Sequence, residues 1–314
     1  MITNNNDKHI SRVLSLFLIL SVGFVFIACE EDEDVMDDEP AGTIYQEVSD
    51  AASYTILEAA INKAGLQNTL GGSGNYTLLA PSDQAFINAG ITDLESYTAD
   101  QLAEILSYHV IGSELEFSVL AAREEIETLN GKLYVTPFND NIFLNARAGF
   151  PQANAEASNG IIHVISTVLF PPQDEVSGIV TETEELSTLE AALTRIGIEN
   201  VLTGNGPYTI FAPSDQAFNR LLNSMDISSL DELSDQQLTD ILQYHVVSDR
   251  VFSTELEAGQ QATLFGGDIT ISFDSNAIII TDGNEDTENA IVVGGDELGT
   301  NGVVHLIDRV LIPE

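Results

Sequence analysis

Apolar residues recur along the chain first with helical and then with strand-like spacing. Leu57, Ala60 and Ile61 stand at positions i, i+3 and i+4 ahead of Gly65, which predicts an amphipathic helix that ends at the glycine. The short apolar run 76–79 lies between glycine-rich and proline breakers, so it predicts a buried strand. Helical patterns precede a strand-rich remainder, and this order predicts an α+β fold.

Residues that can cap helices mark where several helices begin. Ser82 and Asp83 follow the first predicted strand, and either side chain could accept hydrogen bonds from the free N–H groups of a helix. Segments 98–101 and 234–237 both fit the capping box S/T-x-x-Q. Each box opens an apolar stripe of helical spacing, so a second helix is predicted after it.

The chain contains an internal duplication. Between 57 and 86, 18 of 30 positions match the residues found 132 positions later. The offset grows to 136 at the second Tyr-His pair and to 142 at the second Asn-Gly pair, so the second copy carries insertions of four and six residues. We predict two domains, 44–172 and 179–314, joined by a linker at 173–178 after consecutive prolines.

The start of the chain predicts export and lipid attachment. Lys8 and Arg12 precede the apolar run 13–28, the layout of a secretory signal that is shorter than the roughly 20 residues of a spanning helix. Small Ala28 stands before Cys29, the only cysteine, which resembles a bacterial lipobox. This predicts a signal peptide at 1–28 and a lipid on Cys29; the alternative is ordinary secretion with a buried cysteine.

Eight acidic residues fall within the ten positions 30–39. Such a dense run of like charges cannot bury surface, so 29–43 is predicted to be a solvated tether. It is either a plain spacer or, by its place beside the cysteine, similar to the surface-export signal of lipoproteins in the Bacteroidetes group. The second interpretation predicts an outer-membrane protein that faces the cell exterior.

Charge and composition exclude several partners. The chain has 50 acidic and 10 basic residues, a formal net charge of −40, which argues against binding nucleic acid or an anionic membrane surface. We expect membrane contact through the lipid anchor only. One cysteine and no tryptophan exclude an intrachain disulfide and a cysteine-based zinc site. After the predicted signal and tether are set aside, 41 acidic and 8 basic residues remain in the domains.

Three sequence signatures occur in the same order in both copies. They are T-x-x-A-P-S-D-x-A-F, a Tyr-His pair at the end of a helix, and N-G-[VI]-[VI]-H-[VL]-I before a strand that leads to proline. Together they resemble the fasciclin (FAS1) domain family over 44–172 and 179–313. The resemblance implies a wedge-shaped β-sandwich with a helical cap and an extracellular role in adhesion or matrix contact, and it implies no enzymatic activity.

The adhesion motif of that family falls on Tyr108 and His109 and on Tyr244 and His245. Each histidine continues the apolar stripe of its helix at i+3, i+4 and i+7 spacing. A histidine on such a face is more often a hydrogen-bonded core residue than a contact residue. We therefore treat these four residues as a candidate interaction motif with a favoured structural interpretation.

Other possible chemistries have weaker signals. His109 and His163 could bind zinc, but no H-x-x-x-H spacing supports it. Ser82 and Asp83 suggest a catalytic triad, but no G-x-S-x-G elbow occurs. Segment 282–289 imitates the start of an EF-hand loop, yet Thr287 replaces the glycine that such a loop requires, and we interpret it as an acidic hairpin loop. We predict no metal, no cofactor and no enzymatic activity.

The sequence thus favours a surface-anchored lipoprotein that mediates adhesion through two fasciclin-like domains. Its predicted partner is a cell-surface or matrix protein or a polysaccharide. One alternative is a glycan-binding accessory of an outer-membrane uptake system, which needs an exposed aromatic platform although only 7% of residues are aromatic. Another is a hydrolase, which needs paired carboxylates or a triad in one cleft.

Overall fold

A computed structural model describes residues 42–139, 141–197, 205–275, 277–284 and 287–313. The predicted signal 1–28, Cys29 and the acidic tether up to 41 lie outside the described residues. The last predicted tether residue, Thr43, already belongs to the fold, because its side chain and that of Gln46 form a capping box on the first helix. Within the described ranges, no helix is long and apolar enough to cross a membrane.

The first domain begins with helices and continues mainly with strands, as the sequence predicts. Its helices are α1 (Ile44–Asp50), α2 (Thr55–Ala64), α3 (Gln67–Leu70), α4 (Asp83–Asn88), α5 (Ala99–Tyr108) and α6 (Phe117–Leu120), with a 3₁₀ turn at Leu94–Ser96. Its strands are β1 (Tyr76–Pro81), β2 (Val110–Ile111), β3 (Glu125–Thr128), β4 (Gly131–Phe138), β5 (Asn141–Leu144), β6 (Gln152–Ala157) and β7 (Gly160–Ile165).

The second domain repeats this order. Its described helices are α7 (Val176–Glu182), α8 (Ser187–Ile196), α9 (Asp215–Ser224) and α10 (Asp235–Tyr244), with 3₁₀ turns at Glu184–Leu186 and Leu230–Glu232. Its strands are β8 (Tyr208–Pro213), β9 (Val246–Val247), β10 (Gly259–Ala262), β11 (Asp268–Asp274), β12 (Ala277–Thr281), β13 (Ala290–Gly299) and β14 (Gly302–Ile307). The fold class is α+β.

A four-stranded sheet forms the centre of the first domain, in the order β2-β1-β7-β6, with β1 and β7 parallel. Alternate residues of β1 point to its two faces: Leu78 packs against the helices, and Leu79 packs against the second sheet, β3-β4-β5. Each face therefore covers its own apolar cluster. The helices form a layer on one side, and the strand layer closes the other side.

The second domain joins the corresponding strands into one continuous sheet, ordered β10-β11-β12-β13-β14-β8-β9. Strand β13 makes the connection, since its start pairs with β12 and its remainder pairs with β14 across two register shifts. Ile210 and Phe211 of β8 divide between a helix-side cluster and a strand-side cluster as Leu78 and Leu79 do. The two interiors thus share one plan.

The Ser-Asp pair of the first signature caps two helices rather than one. Ser82 caps its own helix α4 by accepting a hydrogen bond from Ala85 N. Asp83 instead reaches the start of α2, where its carboxylate accepts hydrogen bonds from Ile56 N at 2.8 Å and from the Thr55 hydroxyl at 2.7 Å. The acidic residue therefore joins α4 to α2, a contact between segments 27 residues apart.

The predicted helix stops and capping boxes are present in both copies. Gly65 and Gly197 end α2 and α8 in the left-handed conformation, with φ of 73° and 69°. Thr98 and Ser234 each accept a hydrogen bond from the backbone of a glutamine three residues later, whose side chain bonds back. Local sequence therefore sets where these helices begin and end.

The boundary of the second domain differs from the prediction. Helix α7 starts at Val176, so the last three residues of the predicted linker 173–178 belong to the domain. Val176 is completely buried, and its N–H donates to Asn301 Oδ1, as the N–H of Ile44 does to Asn159 Oδ1 in the first domain. An apolar side chain and a buried amide bond fix this point as the start of the fold.

The last strand of each domain is shorter than its apolar run suggests. In the first domain the run 160–170 predicts one strand, but β7 ends at Ile165. The backbone N–H of Leu169 donates to His109 Nε2 at 3.0 Å rather than to a neighbouring strand. Leu311 donates to His245 Nε2 in the same way at 2.9 Å. In each domain the histidine ring, rather than a neighbouring strand, thus accepts the hydrogen bond from this backbone N–H group.

Candidate functional site

The Tyr-His pair lies at the C-terminal end of an amphipathic helix in each domain. Leu102, Ile105 and Leu106 of α5 are buried on the face that packs against the central sheet, and His109 is the residue that caps the helix end. Because histidine follows the apolar stripe, its ring enters the core. His109 has no exposed surface, and His245 is 1% exposed.

Both ring nitrogens of each buried histidine have backbone partners. His109 Nδ1 lies 2.7 Å from Ile105 O and must donate, because a carbonyl only accepts. Its Nε2 then accepts from Leu169 N, so the ring is the neutral tautomer. His245 has the same arrangement, with Ile241 O at 2.7 Å. Burial lowers the pKa of both histidines to about 4, against the opposing effect of the carbonyl hydrogen bond.

The tyrosine of each pair is buried and hydrogen-bonded to the strand-rich half of its domain. The Tyr108 hydroxyl donates to Lys132 O at 2.7 Å and accepts from Asn145 Nδ2 at 3.0 Å. Tyr244 donates to Asp268 O at 2.7 Å and accepts from Gly283 N. Burial raises the pKa of Tyr108 to about 12. The four candidate residues therefore connect the helical layer to the strand layer and leave almost no surface for a partner.

The second histidine of each domain also binds backbone on both sides. His163 Nε2 donates to Leu115 O at 2.8 Å, and its Nδ1 accepts from Asn154 N. His305 Nε2 contacts Val251 O at 2.9 Å in the second domain. Burial lowers the pKa of both. Zinc coordination would require these nitrogens to be free, and the described residues contain no group of three possible metal ligands.

Two further carboxylates, those of Asp282 and Glu255, accept hydrogen bonds within the second domain. Asp282, at the start of the acidic loop, accepts hydrogen bonds from the Thr287 hydroxyl at 2.6 Å and from Ile312 N at 2.8 Å. Glu255 is half-buried, and burial raises the pKa of its carboxyl, which accepts from Phe252 N. Two positions of the predicted loop, 285 and 286, lie outside the described residues.

Side chains from both domains meet beside the junction. The Arg250 guanidinium lies 4.1 Å from the centre of the Tyr134 ring, a cation–π distance, and the Tyr134 and Phe252 rings are 5.9 Å apart. Arg147 forms an ion pair with Glu297. A cavity of about 240 Å³ adjoins this contact and is lined from both domains. Sequence patterns do not predict these contacts, because they join positions more than 100 residues apart.

The second domain also carries a cleft of about 470 Å³ that sequence reasoning missed. Its walls come from α9, α10, the turn between β10 and β11, and the loop after β12. Met225 and Phe265 stand at its edge and are 43% and 37% exposed, while Ile241 in its floor is buried. The unequal offsets of the duplication were the available signal, since the inserted residues border this cleft.

The fold and the site together define a duplicated α+β module. Its buried histidines form hydrogen bonds with the backbone inside the core. The family description "Fasciclin domain" matches residues 52–171 and 184–313. The chain therefore belongs to the fasciclin domain family, in two tandem copies. The resemblance drawn from the three signatures is confirmed.

Several known proteins are similar to this chain. Transforming growth factor-beta-induced protein ig-h3 of Sus scrofa is 24% identical over 283 residues, which is 88% of this chain and 40% of that protein. Protein sll1483 of Synechocystis is 33% identical over 130 residues, 41% of this chain and 68% of that protein. The chain thus spans about two fifths of ig-h3.

A FAS1 domain pair from the insect cell adhesion molecule fasciclin I is similar in structure. The match covers 85% of this chain and 95% of that one, with 19% sequence identity and a TM-score of 0.40.

Proposed function

We propose that this protein is a non-enzymatic interaction module that mediates adhesion between a cell and its surroundings through two fasciclin domains. One observation carries the non-enzymatic part: the groups that the sequence offers for chemistry are used by the fold. His109 and His245 bind backbone on both ring nitrogens, and Asp83 caps a helix. A general base needs a nitrogen or oxygen that can reach a substrate proton.

The exposed apolar residues support an interaction role. Phe138 and Phe143 form an edge-to-face pair, 6.2 Å between ring centres, near the β4–β5 turn, and Phe138 is 49% exposed. In the second domain Phe273 is exposed near the corresponding β11–β12 turn. Apolar side chains displayed on an acidic surface fit contact with a partner. The domains' acidity favours a cationic partner or one bridged by cations.

The same proposal includes export and anchoring. A lipid on Cys29 would hold the protein to the outer membrane, and the acidic tether would keep the domains in solvent facing the cell exterior. The partner would be a surface or matrix protein or a polysaccharide. Nucleic acid is disfavoured by the charge.

Fractionation of cells tests the anchor. The wild-type protein is expected in the membrane fraction, and Cys29→Ala is expected in the soluble fraction with folded domains. Membrane association of Cys29→Ala would contradict lipid anchoring.

Binding to an array of matrix proteins and surface glycans tests the partner class. Retention on proteins supports adhesion. Retention on surface polysaccharides also fits adhesion, because the proposed partner class includes them, whereas binding only to soluble glycans that a cell takes up would favour the glycan-binding alternative.

A further inference from the structure

The second domain differs from the first by additions that lie far apart in the sequence. Helix α4 has six residues and α9 has ten, so the four-residue insertion is one extra helical turn. The added turn lies between two pairs of corresponding residues. The first pair is Phe86 and Phe218. The second pair is Gly90 and Asp226, which have positive φ angles of 76° and 55°. The added turn carries Leu221 to Ser224 and is followed by Met225.

A second addition lies in the turn before the long hairpin. In the first domain Thr128 Oγ1 donates to Gly131 O across two intervening residues. In the second, Thr263 Oγ1 donates to Gly267 O across three, so the turn is one residue longer. The longer turn contains Phe265, whose ring meets Tyr244 edge-on at 6.0 Å between ring centres.

The third addition is the loop after β12. The described residues on its two sides, Asn284 and Thr287, are held by Asp282, which accepts hydrogen bonds from Asn284 N and from the Thr287 hydroxyl. Asp282 also accepts from Ile312 N near the chain end. The carboxylate therefore fixes both sides of the loop against the final segment of the domain.

All three additions line the same cleft. Leu221 and Ser224 come from the extra turn and Met225 directly follows it, Phe265 comes from the longer turn, and Asn284 and Thr287 come from the loop. Three separate insertions that converge on one concave surface indicate a site rather than unrelated drift in surface loops. The volume, about 470 Å³, lies in the range of ligand sites.

Charge narrows the class of ligand. Among the described lining residues, Asp240 is the one with a formal charge. One of its oxygens accepts from Gln236 Nε2 at 2.8 Å, and the other has no partner within the described ranges. A neighbouring depression in the surface is lined by Arg220 and Arg309. Both arginines already form ion pairs, Arg220 with Asp308 and Arg309 with Glu288. The cleft therefore combines apolar walls with an available negative charge.

We propose that this cleft binds a basic peptide segment of a partner protein, with a bulky apolar side chain inside and a lysine or arginine beside Asp240. The open edge, formed by Met225 and Phe265, suits a side chain that projects from a polypeptide in solvent. Methionine adapts its shape to apolar partners. This inference rests on the proposed function as an interaction module and assigns its contact site.

Methionine NMR tests the proposal directly. The chain has three methionines, at 1, 36 and 225, so ¹³C-methyl labelling of the intact protein in lipid nanodiscs gives at most three signals. Met225→Leu assigns the signal in the cleft, and the other methionines serve as internal controls. The probes are the capped peptides Leu-Phe-Lys-Lys, Leu-Phe-Glu-Glu and Ala-Ala-Lys-Lys.

We expect Leu-Phe-Lys-Lys to shift the Met225 signal saturably and the other two peptides to bind at least tenfold more weakly. Asp240→Asn should weaken binding about two- to fivefold, as for loss of one exposed ion pair. Glu104→Gln, at the matching position of the first domain, should leave binding unchanged. Equal binding of the lysine and glutamate peptides, or no shift at millimolar peptide, would overturn the proposal.

A blocking variant completes the test. Ser224 is exposed at the end of α9, so Ser224→Phe should fill the cleft without unfolding the domain and should abolish the shift. Asn88→Phe, at the same end of α4, is the control and should bind normally. If phenethylamine binds as tightly as Leu-Phe-Lys-Lys, the proposed peptide ligand is overturned and the cleft is instead a site for a small amine. Normal adhesion by Ser224→Phe would reject the cleft but leave the adhesion function intact.

Discussion

The first and second fasciclin domains use the same buried hydrogen bonds at matching positions. His109 and His245 each donate to a helix carbonyl and accept from the final apolar segment, and the distances agree within 0.1 Å. One side of the second domain, by contrast, has a longer helix, a longer turn and a longer loop. The interior therefore tolerates little change between copies, while surface segments change freely and can build a new cleft.

Acidification tests the shared interior of both domains at once. The folded pKa of His109 and His245, about 4, lies below the value near 6.5 expected in the unfolded chain. As pH falls, the unfolded chain therefore takes up protons first. Stability from the neutral rings is full above pH 6.5 and is lost as pH falls toward 4. Each histidine should lower the free energy of unfolding by about 2 kcal/mol between pH 7 and pH 5.

Urea unfolding at pH 7 and pH 5 measures this loss. Protonation of surface acids also changes stability, so the control is His109→Gln, which lacks the titrating group. Its first domain should lose about 2 kcal/mol less than the wild type on acidification. An unchanged pH dependence in His109→Gln would contradict the neutral buried ring.

Removal of the imidazole ring of His109 or of His245 should destabilise the domain that contains it, and the two domains should lose similar amounts of stability. His109→Ala and His245→Ala each leave a cavity and unpaired backbone groups, so we expect a loss of about 3 kcal/mol in the free energy of unfolding. Circular dichroism during urea unfolding gives both values. Loss of adhesion at an unchanged melting temperature would instead show that the Tyr-His pair is a contact site.

The caps that Asp83 and Asp215 form on the preceding helix should contribute less to the free energy of unfolding than the buried histidines do. Their contributions should be equal in the two domains. Asp83→Ala and Asp215→Ala each remove acceptors at the start of the preceding helix, and we expect losses of about 1 kcal/mol. Burial opposes ionisation of Asp215, but hydrogen bonds from Thr188 and Ser187 outweigh it and lower its pKa. Ser82→Ala measures the neighbouring cap by the same unfolding assay. No change in Asp83→Ala would mean that this cap does not hold α2 to α4.

Contact between the domains should have the smallest effect. Arg250→Ala, in the second domain, removes the cation above Tyr134 and should destabilise the first domain by about 0.5–1 kcal/mol. Exposed Arg123 gives the control variant Arg123→Ala, which should have no effect. If the two variants unfold alike, the domains are not coupled through this contact.

Sequence patterns predicted much of the fold. The duplication, the helix ending at Gly65 and the capping box at Thr98 follow from residues that interact locally, so spacing alone identifies them. The burial of His109 also follows from helical spacing, since its position continues an apolar stripe. These features depend on neighbours within one or two helical turns.

Features that join distant segments were not predictable in the same way. Either Ser82 or Asp83 was expected to cap the helix that they begin; Ser82 does so, whereas Asp83 caps α2, because tertiary packing brings the two helix starts together. The start of the second domain at Val176 depends on a bond to Asn301, 125 residues away. The cleft likewise required three insertions to be placed in space. The insertions of four and six residues were visible in the sequence, but the one-residue lengthening of the β10–β11 turn and the convergence of all three were not.

Attachment of cells under flow tests the central claim most directly. Cells that display the wild-type protein should be retained on surfaces coated with a protein selected by the binding array, and cells that carry Cys29→Ala should be retained no better than cells lacking the protein. Equal retention of all three cell types on every protein and glycan surface of that array would contradict an anchored adhesion module.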